Sequence, residues 1–125
     1  MVVDTSIFIE FLRKKDKTKT VLYNIPETTP ITISSVTLYE LLMGATDKPK
    51  KQDVKILTED LLILPFDREV AEKSGGIYHQ LRNQNTMIEF RDIFIAATCL
   101  VHNLPIKTLN NKHFERVDGL KIVFG

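Results

Sequence analysis

The sequence has little of what marks the simpler functional classes. It carries one cysteine, Cys99, in 125 residues, which excludes an internal disulfide and a cysteine-rich zinc site and is compatible with a reducing cytosol. Seventeen Lys plus Arg stand against 16 Asp plus Glu, so the net charge of +1 supplies no global field for gripping a polyanion. Any contact with nucleic acid must rest on local patches. The most apolar stretch, Ile93 to Val101, is too short to span a bilayer, and the opening MVVDTS puts an acid where a signal peptide needs its apolar region. A soluble, cytoplasmic protein without a membrane role is expected. There is no Walker-type phosphate loop and no G-x-S-x-G, which argues against a P-loop hydrolase and a serine hydrolase. His79, His102 and His113 have no metal-ligand spacing between them. No internal repeat or linker breaks the chain, so one domain over residues 1–125 is expected.

What is present is an alternation of strand and helix signals. With 43% apolar and 26% charged residues, the chain can bury a core. Met1-Val2-Val3 reads as a buried strand, followed by Ile7, Phe8, Phe11 and Leu12 at helical spacing. Ile31-Thr32-Ile33 is a β-branched run, and Ser34 or Ser35 can cap the helix that carries Val36, Leu38, Leu41 and Leu42. Gly44 and the DKPKK stretch end that helix, and Gln52 to Asp60 reads as another. Leu61 to Leu64 is a third strand. Asp67 is a good N-cap for a helix to about Arg82, with a kink or break expected at Gly75-Gly76. The helix from Ile93 is apolar on nearly every face, and Pro105 to Thr108 and Lys121 to Phe124 supply two more short strands. This order predicts a mostly parallel sheet with helices on both faces.

In such a sheet the reactive crevice lies beyond the carboxyl ends of the strands. Asp4 directly follows the first strand, where taken alone it reads first as a helix N-cap. Glu40 has Thr37 and Gly44 as its helical neighbours, so it points either along a small-residue face into a crevice or to water. Asp92 stands at the start of the apolar helix, where the dipole favours its ionised form and a cap is again the alternative. Three carboxylates that converge repel one another, and an all-oxygen site of that kind selects a hard cation such as Mg²⁺ or Mn²⁺. Such an ion can hold a phosphate oxygen and activate a water.

Asp4-Thr5-Ser6 after a first strand, Glu40 in LYELLMG, Asp92 in RDIFIAAT and the closing TLNNKHFERVDGLKI together resemble the PIN domain, specifically the VapC-type toxin ribonucleases of toxin–antitoxin pairs. The resemblance runs from the first residues to the last and is weakest from about Lys48 to Arg82. It implies a three-layer α/β/α fold with a five-stranded parallel sheet, and a Mg²⁺- or Mn²⁺-dependent endoribonuclease. RNA would be the substrate, a small cognate antitoxin the partner, and the chain a homodimer. Asp4, Glu40 and Asp92 fall on the family's first three acidic positions. Thr5 or Ser6 would add a hydroxyl near the metal or the scissile phosphate, and Glu89 would be auxiliary. The family's Thr-x-Asp segment is here Thr108-Leu109-Asn110, and the neutral amide argues against a tightly held second ion. The rival within this fold is a catalytically degenerate RNA- or protein-binding module. Lys14, Lys15, Lys17 and Lys19, and Lys48, Lys50, Lys51 and Lys55, form two basic clusters that read as solvated faces unless they flank the crevice.

Overall fold

The computed structural model describes residues 1–124. Its elements alternate as expected: β1 (Val2–Val3), α1 (Thr5–Arg13), β2 (Thr32–Ser34), α2 (Ser35–Gly44), α3 (Lys48–Thr58), β3 (Leu62–Leu64), α4 (Arg68–Asn83), α5 (Phe90–Val101), β4 (Ile106–Lys107) and α6 (Asn111–Phe114), with a 3₁₀ turn at Lys17–Lys19. The four strands are all parallel, in the order β3-β2-β1-β4. The chain therefore builds outward from β1 to β3, then returns to place β4 on the other flank of β1. That reversal makes the carboxyl end of β1 the topological switch point.

Successive strand residues face opposite sides of the sheet, and β1 shows it with only two residues. Val2 packs with Val70, Ile77 and Leu81 of α4, Ile93 and Ala97 of α5, and Phe114 of α6. Val3 packs instead with Ile7 and Phe8 of α1, Leu41 of α2 and Val54 of α3. Two cores, one on each face, give the three-layer α/β/α arrangement. α5 owes its burial to Ile95, Ala96, Ala97 and Cys99, all without exposed surface, with Thr98 between them donating its hydroxyl to the Phe94 carbonyl.

Helix starts follow their caps. Ser34 accepts from the Thr37 N–H, Asp47 from Lys50 and Asp67 from Val70. The Asp47 cap explains one departure from the sequence reading. DKPKK does not separate two helices but starts α3, with Pro49 in the first turn, where its missing N–H has no intrahelical partner to lose. The fifth strand is also reduced, to a single parallel bridge between Ile106 and Ile122. β4 is two residues long and leaves the sheet at Thr108, so it offers the last segment only Ile106, whose N–H bonds to Lys121 and whose carbonyl accepts from Val123.

α4 runs unbroken through Gly75-Gly76, and a Cβ at either position would meet no atom within 4 Å. Both glycines are exposed helix-interior residues, a placement that costs roughly 0.5–1 kcal/mol each relative to alanine. Gly75→Ala and Gly76→Ala are each expected to stabilise the protein by about that amount in urea denaturation. A loss of stability in both would show that the helix needs a flexible point there.

Candidate active site

The register of β1 with β4 pairs Val3 with Lys107, and the Asp4 N–H continues the ladder to the Lys107 carbonyl at 2.9 Å. One step further, Asp4 and Thr108 leave the sheet side by side. Asp4 is 2% exposed and occupies the N-cap position of α1, but its side chain makes no capping bond. Its Oδ2 accepts from two hydroxyls, Ser6 Oγ and Thr108 Oγ1, each at 2.7 Å. Those hydroxyls in turn accept the N–H groups of Leu109, at 3.1 Å, and Asn110, at 2.9 Å. A buried carboxylate thus organises the loop after β4, and Oδ1 takes part in none of these bonds.

Glu40 resolves toward the crevice. Its side chain is 14% exposed; Oε1 accepts from Thr5 Oγ1 at 2.9 Å, and Oε2 lies 3.1 Å from Arg91 Nη1. The hydroxyls of Thr5 and Ser6 have therefore divided the work, one holding Glu40 and the other Asp4. Asp92 lies in the first turn of α5, while the N-cap is Glu89, again without a side-chain capping bond. Asp92 Oδ2 is 3.5 Å from His113 Nδ1, an ion-pair distance too long for a good hydrogen bond. Glu89 is largely exposed and meets Arg91 Nη2 at 3.3 Å. Asn110 is exposed and touches the site through its backbone alone, whereas its neighbour Asn111 turns a buried Oδ1 inward with no hydrogen-bond partner.

The acids feel one another. Burial raises the Glu40 carboxyl above its ordinary range, and the negative charges of Asp4 and Glu89 add to that against the lowering by Thr5 and Arg91. Asp92 is pushed up to about 6, by burial first and by Asp4 next, with His113 pulling the other way. The Asp4 charge raises both others, so the two lie within its electrostatic reach. In donor chemistry the set fits a hard divalent ion: two carboxyls raised by burial and by neighbouring negative charge, and a third, Asp4, with one oxygen outside its hydrogen bonds. In geometry, among the described residues, no three His, Cys, Asp or Glu side chains close on one point as they stand. Glu40 lies instead against Arg91, and Asp92 lies 3.5 Å from the His113 imidazole, which pairs with it only when protonated.

A groove of about 260 Å³ opens between α1, α2 and α3, walled by Ile9, Leu12, Leu41 and Val54 and reaching Glu40, with Arg13 and Lys50 on its rim. Lys50 belongs to the second basic cluster, so one member of it lies on a groove that leads to the acids.

The family model of the PIN domain matches residues 1–120. The chain belongs to the PIN domain family. Among curated relatives of this PIN domain, "Ribonuclease VapC1" of Methanocaldococcus jannaschii is 32% identical over 98% of this chain and 85% of its own length. "tRNA(fMet)-specific endonuclease VapC" of Shigella flexneri is 30% identical over 96% of this chain and 93% of its own. Among solved structures, the DNA-bound VapBC complex of Salmonella typhimurium contains a chain that superposes with a TM-score of 0.85 at 28% identity, covering 98% of this chain and 95% of that one. VapBC2 of Rickettsia felis, bound to a DNA fragment from their promoter, gives 0.82 at 26% identity, covering 98% and 96%.

Two residues of the PIN domain's site escaped the sequence reading. His113 sits in the closing motif, where the lack of metal-ligand spacing to the other histidines gives it no mark as a site residue. Arg91 did leave a signal: a cation in the first turn of a helix opposes the helix dipole, so its presence there points to carboxylates nearby.

The raised carboxyls set a pH dependence. In the unfolded chain Asp92 gives up its proton near its ordinary value of 3.8, but in the folded protein only near 6, so between these values the unfolded state binds fewer protons. Stability from this group therefore falls as pH rises through that window and levels off above it. Without divalent ions, the stability of Asp92→Asn relative to the parent should grow between about pH 4 and 6. Urea midpoints across the range check this, and a constant difference would contradict it.

Proposed function

We propose that this PIN domain, acting as a single domain over residues 1–125, is an endoribonuclease that uses Mg²⁺ or Mn²⁺ and is the toxin half of a toxin–antitoxin pair. The observation that carries the reading is that Asp4 and Glu40 are held by the adjacent hydroxyls of Ser6 and Thr5 at the carboxyl end of β1, with Asp92 within reach of the Asp4 charge. Relatives named as VapC ribonucleases support RNA as the substrate, and neighbours solved as VapBC complexes support a small protein partner.

Asp4, Glu40 and Asp92 would hold the ion, which when bound supplies positive charge to a phosphate oxygen and lowers the pKa of a bound water. The rest of the mechanism belongs to the chain. Ser6 and Thr108 fix the Asp4 carboxylate through Oδ2 and leave Oδ1 turned to other uses. Thr5 fixes Glu40 in the same way. These hydroxyls keep two like charges in place before substrate arrives, so little reorganisation remains for the reaction itself. Hydrolysis at phosphorus with departure of the 3′ oxygen leaves 5′-phosphate and 3′-hydroxyl ends. Glu89 acts at the rim through Arg91, and Asn110 acts as a loop residue through Thr108.

The groove between α1, α2 and α3 gives an antitoxin segment an apolar track that ends at Glu40. Leu42, Met43, Phe90 and Tyr39 are exposed apolar side chains on α2 and α5, a surface on which two copies could pair as a homodimer. Among the described residues no helix is long and apolar enough to cross a membrane.

A non-catalytic binding module is the second reading, favoured by the observation that Arg91 and His113 already partner two of the acids. One experiment separates the two. Asp4→Asn and Asp92→Asn should each lose at least about a hundredfold in RNA cleavage with Mg²⁺ or Mn²⁺ while remaining folded; Asp92→Asn should melt no lower than the parent, because it removes one of three repelling charges, and Asp4→Asn should melt lower, because it weakens the bonds from Ser6 and Thr108. Full cleavage by either variant would remove that residue from the mechanism. Unchanged RNA affinity together with no cleavage by the parent would favour the binding module.

A further inference from the structure

Arg91 is the cation nearest the acids, and its geometry is specific. The guanidinium spans two carboxylates from two elements, with Nη1 3.1 Å from Glu40 Oε2 on α2 and Nη2 3.3 Å from Glu89 Oε2 at the N-cap of α5. A planar fork with several fixed donors suits this bridge, and a lysine ammonium does not. The other oxygen of Glu40 is held by Thr5, so both ends of the Glu40 carboxylate are occupied. Arg91 is 45% exposed while Glu40 is 14% exposed, so the arginine reaches inward from the rim and has solvent behind it into which to withdraw. Its place in the first turn of α5 is unfavourable for a cation, and Glu89 and Glu40 supply the compensating charge.

We infer that Arg91 is a resident cation of the acidic site, which a divalent ion must displace from Glu40 before that carboxylate can join it. The inference rests on the reading of Asp4, Glu40 and Asp92 as metal-holding residues. It makes Arg91 a positioning residue, acting through Glu40, and casts ion binding as an exchange of one cation for another. Glu89 keeps the displaced guanidinium at the mouth of the site, since its own bond to Arg91 does not involve Glu40. His113 and Glu89 also face this centre, but neither touches the Glu40 oxygen that Arg91 holds.

Calorimetric titration of the full chain with Mn²⁺ tests the exchange directly, on the parent, Arg91→Gln, Arg91→Lys, Glu40→Gln and the double variant E40Q/R91Q. Thermal melts without ion establish that each form is folded. Removing the competitor should tighten Mn²⁺ binding in Arg91→Gln by about two- to fivefold, the size expected for a partly exposed ion pair. Arg91→Lys, which keeps the charge but cannot bridge both carboxylates, should fall between the parent and Arg91→Gln. In the Glu40→Gln background the Arg91→Gln gain should largely vanish, because the arginine acts through that carboxylate.

An equal gain with and without Glu40 would overturn the inference by showing only a long-range charge effect, and so would an Arg91→Lys that binds like the parent. Unchanged or weaker binding in Arg91→Gln would overturn it too, while leaving the metal site itself intact. Failure of every form, the parent included, to bind Mn²⁺ would overturn both the metal-holding reading and the exchange built on it.

Discussion

Asp4 is a carboxylate with almost no exposed surface, set at the end of a two-residue strand, and the arrangement of this end of the sheet depends on satisfying it. A buried carboxylate without hydrogen bonds costs several kcal/mol, whereas each bond to a charged group contributes about 1.5–3 kcal/mol. Ser6, two residues on, and Thr108, 104 residues on, donate the two bonds that the structure gives it. Thr108 can do so only because β4 lies parallel to β1 in a register that brings both strands out at the same level. The loop to Asn110 is then fixed by the same two hydroxyls. One carboxylate thus ties the first residues of the chain to nearly its last.

The cost of this centre is repulsion, and the protein meets it locally. Glu40 and Asp92 both sit above their ordinary pKa, chiefly through burial and partly through Asp4. Arg91 answers Glu40 and His113 answers Asp92, one acid to each partner. A site balanced in this way does not need to be bound by a metal in order to fold. It remains one in which a dication, by neutralising more charge at one point, has something to gain over the resident side chains.

Much of this was legible in the sequence, for identifiable reasons. The strands and apolar helices declare themselves by run length and period, and Asp67 and Ser34 are caps that any reader of helix starts would choose. Asp4, Glu40 and Asp92 could be picked out because each lies beside an apolar segment. Their meeting could not, since it depends on strand order and register. Asp4 in particular looks like a capping residue and stands at a cap position, yet it spends its oxygens elsewhere. The start of α3 is hidden by its composition, because four charged residues around a proline resemble a loop until Asp47 and Pro49 are weighed as cap and first turn. Gly75-Gly76 misled in the opposite sense: glycine weakens a helix but does not end one whose Val70, Ile77 and Leu81 are locked into the core. Asn110 was chosen by analogy of spacing, while the residue with a buried, unpartnered oxygen is Asn111. Arg91 leaves only the trace of a cation in the first turn of a helix, since salt-bridge partners on different elements share no period.

The central claim is that a divalent ion binds where the carboxyl ends of β1, β2 and β4 meet the start of α5. Substoichiometric Mn²⁺ added to isotope-labelled protein tests it most directly, because the ion broadens the NMR signals of residues around it. The account predicts that broadening centres on Asp4, Thr5, Glu40, Asp92 and Thr108 and fades toward α3 and the far end of α4. Broadening centred on the exposed acids of α3 and its neighbourhood, Asp53 or Asp60, with the signals of Asp4 and Asp92 unchanged, would contradict it.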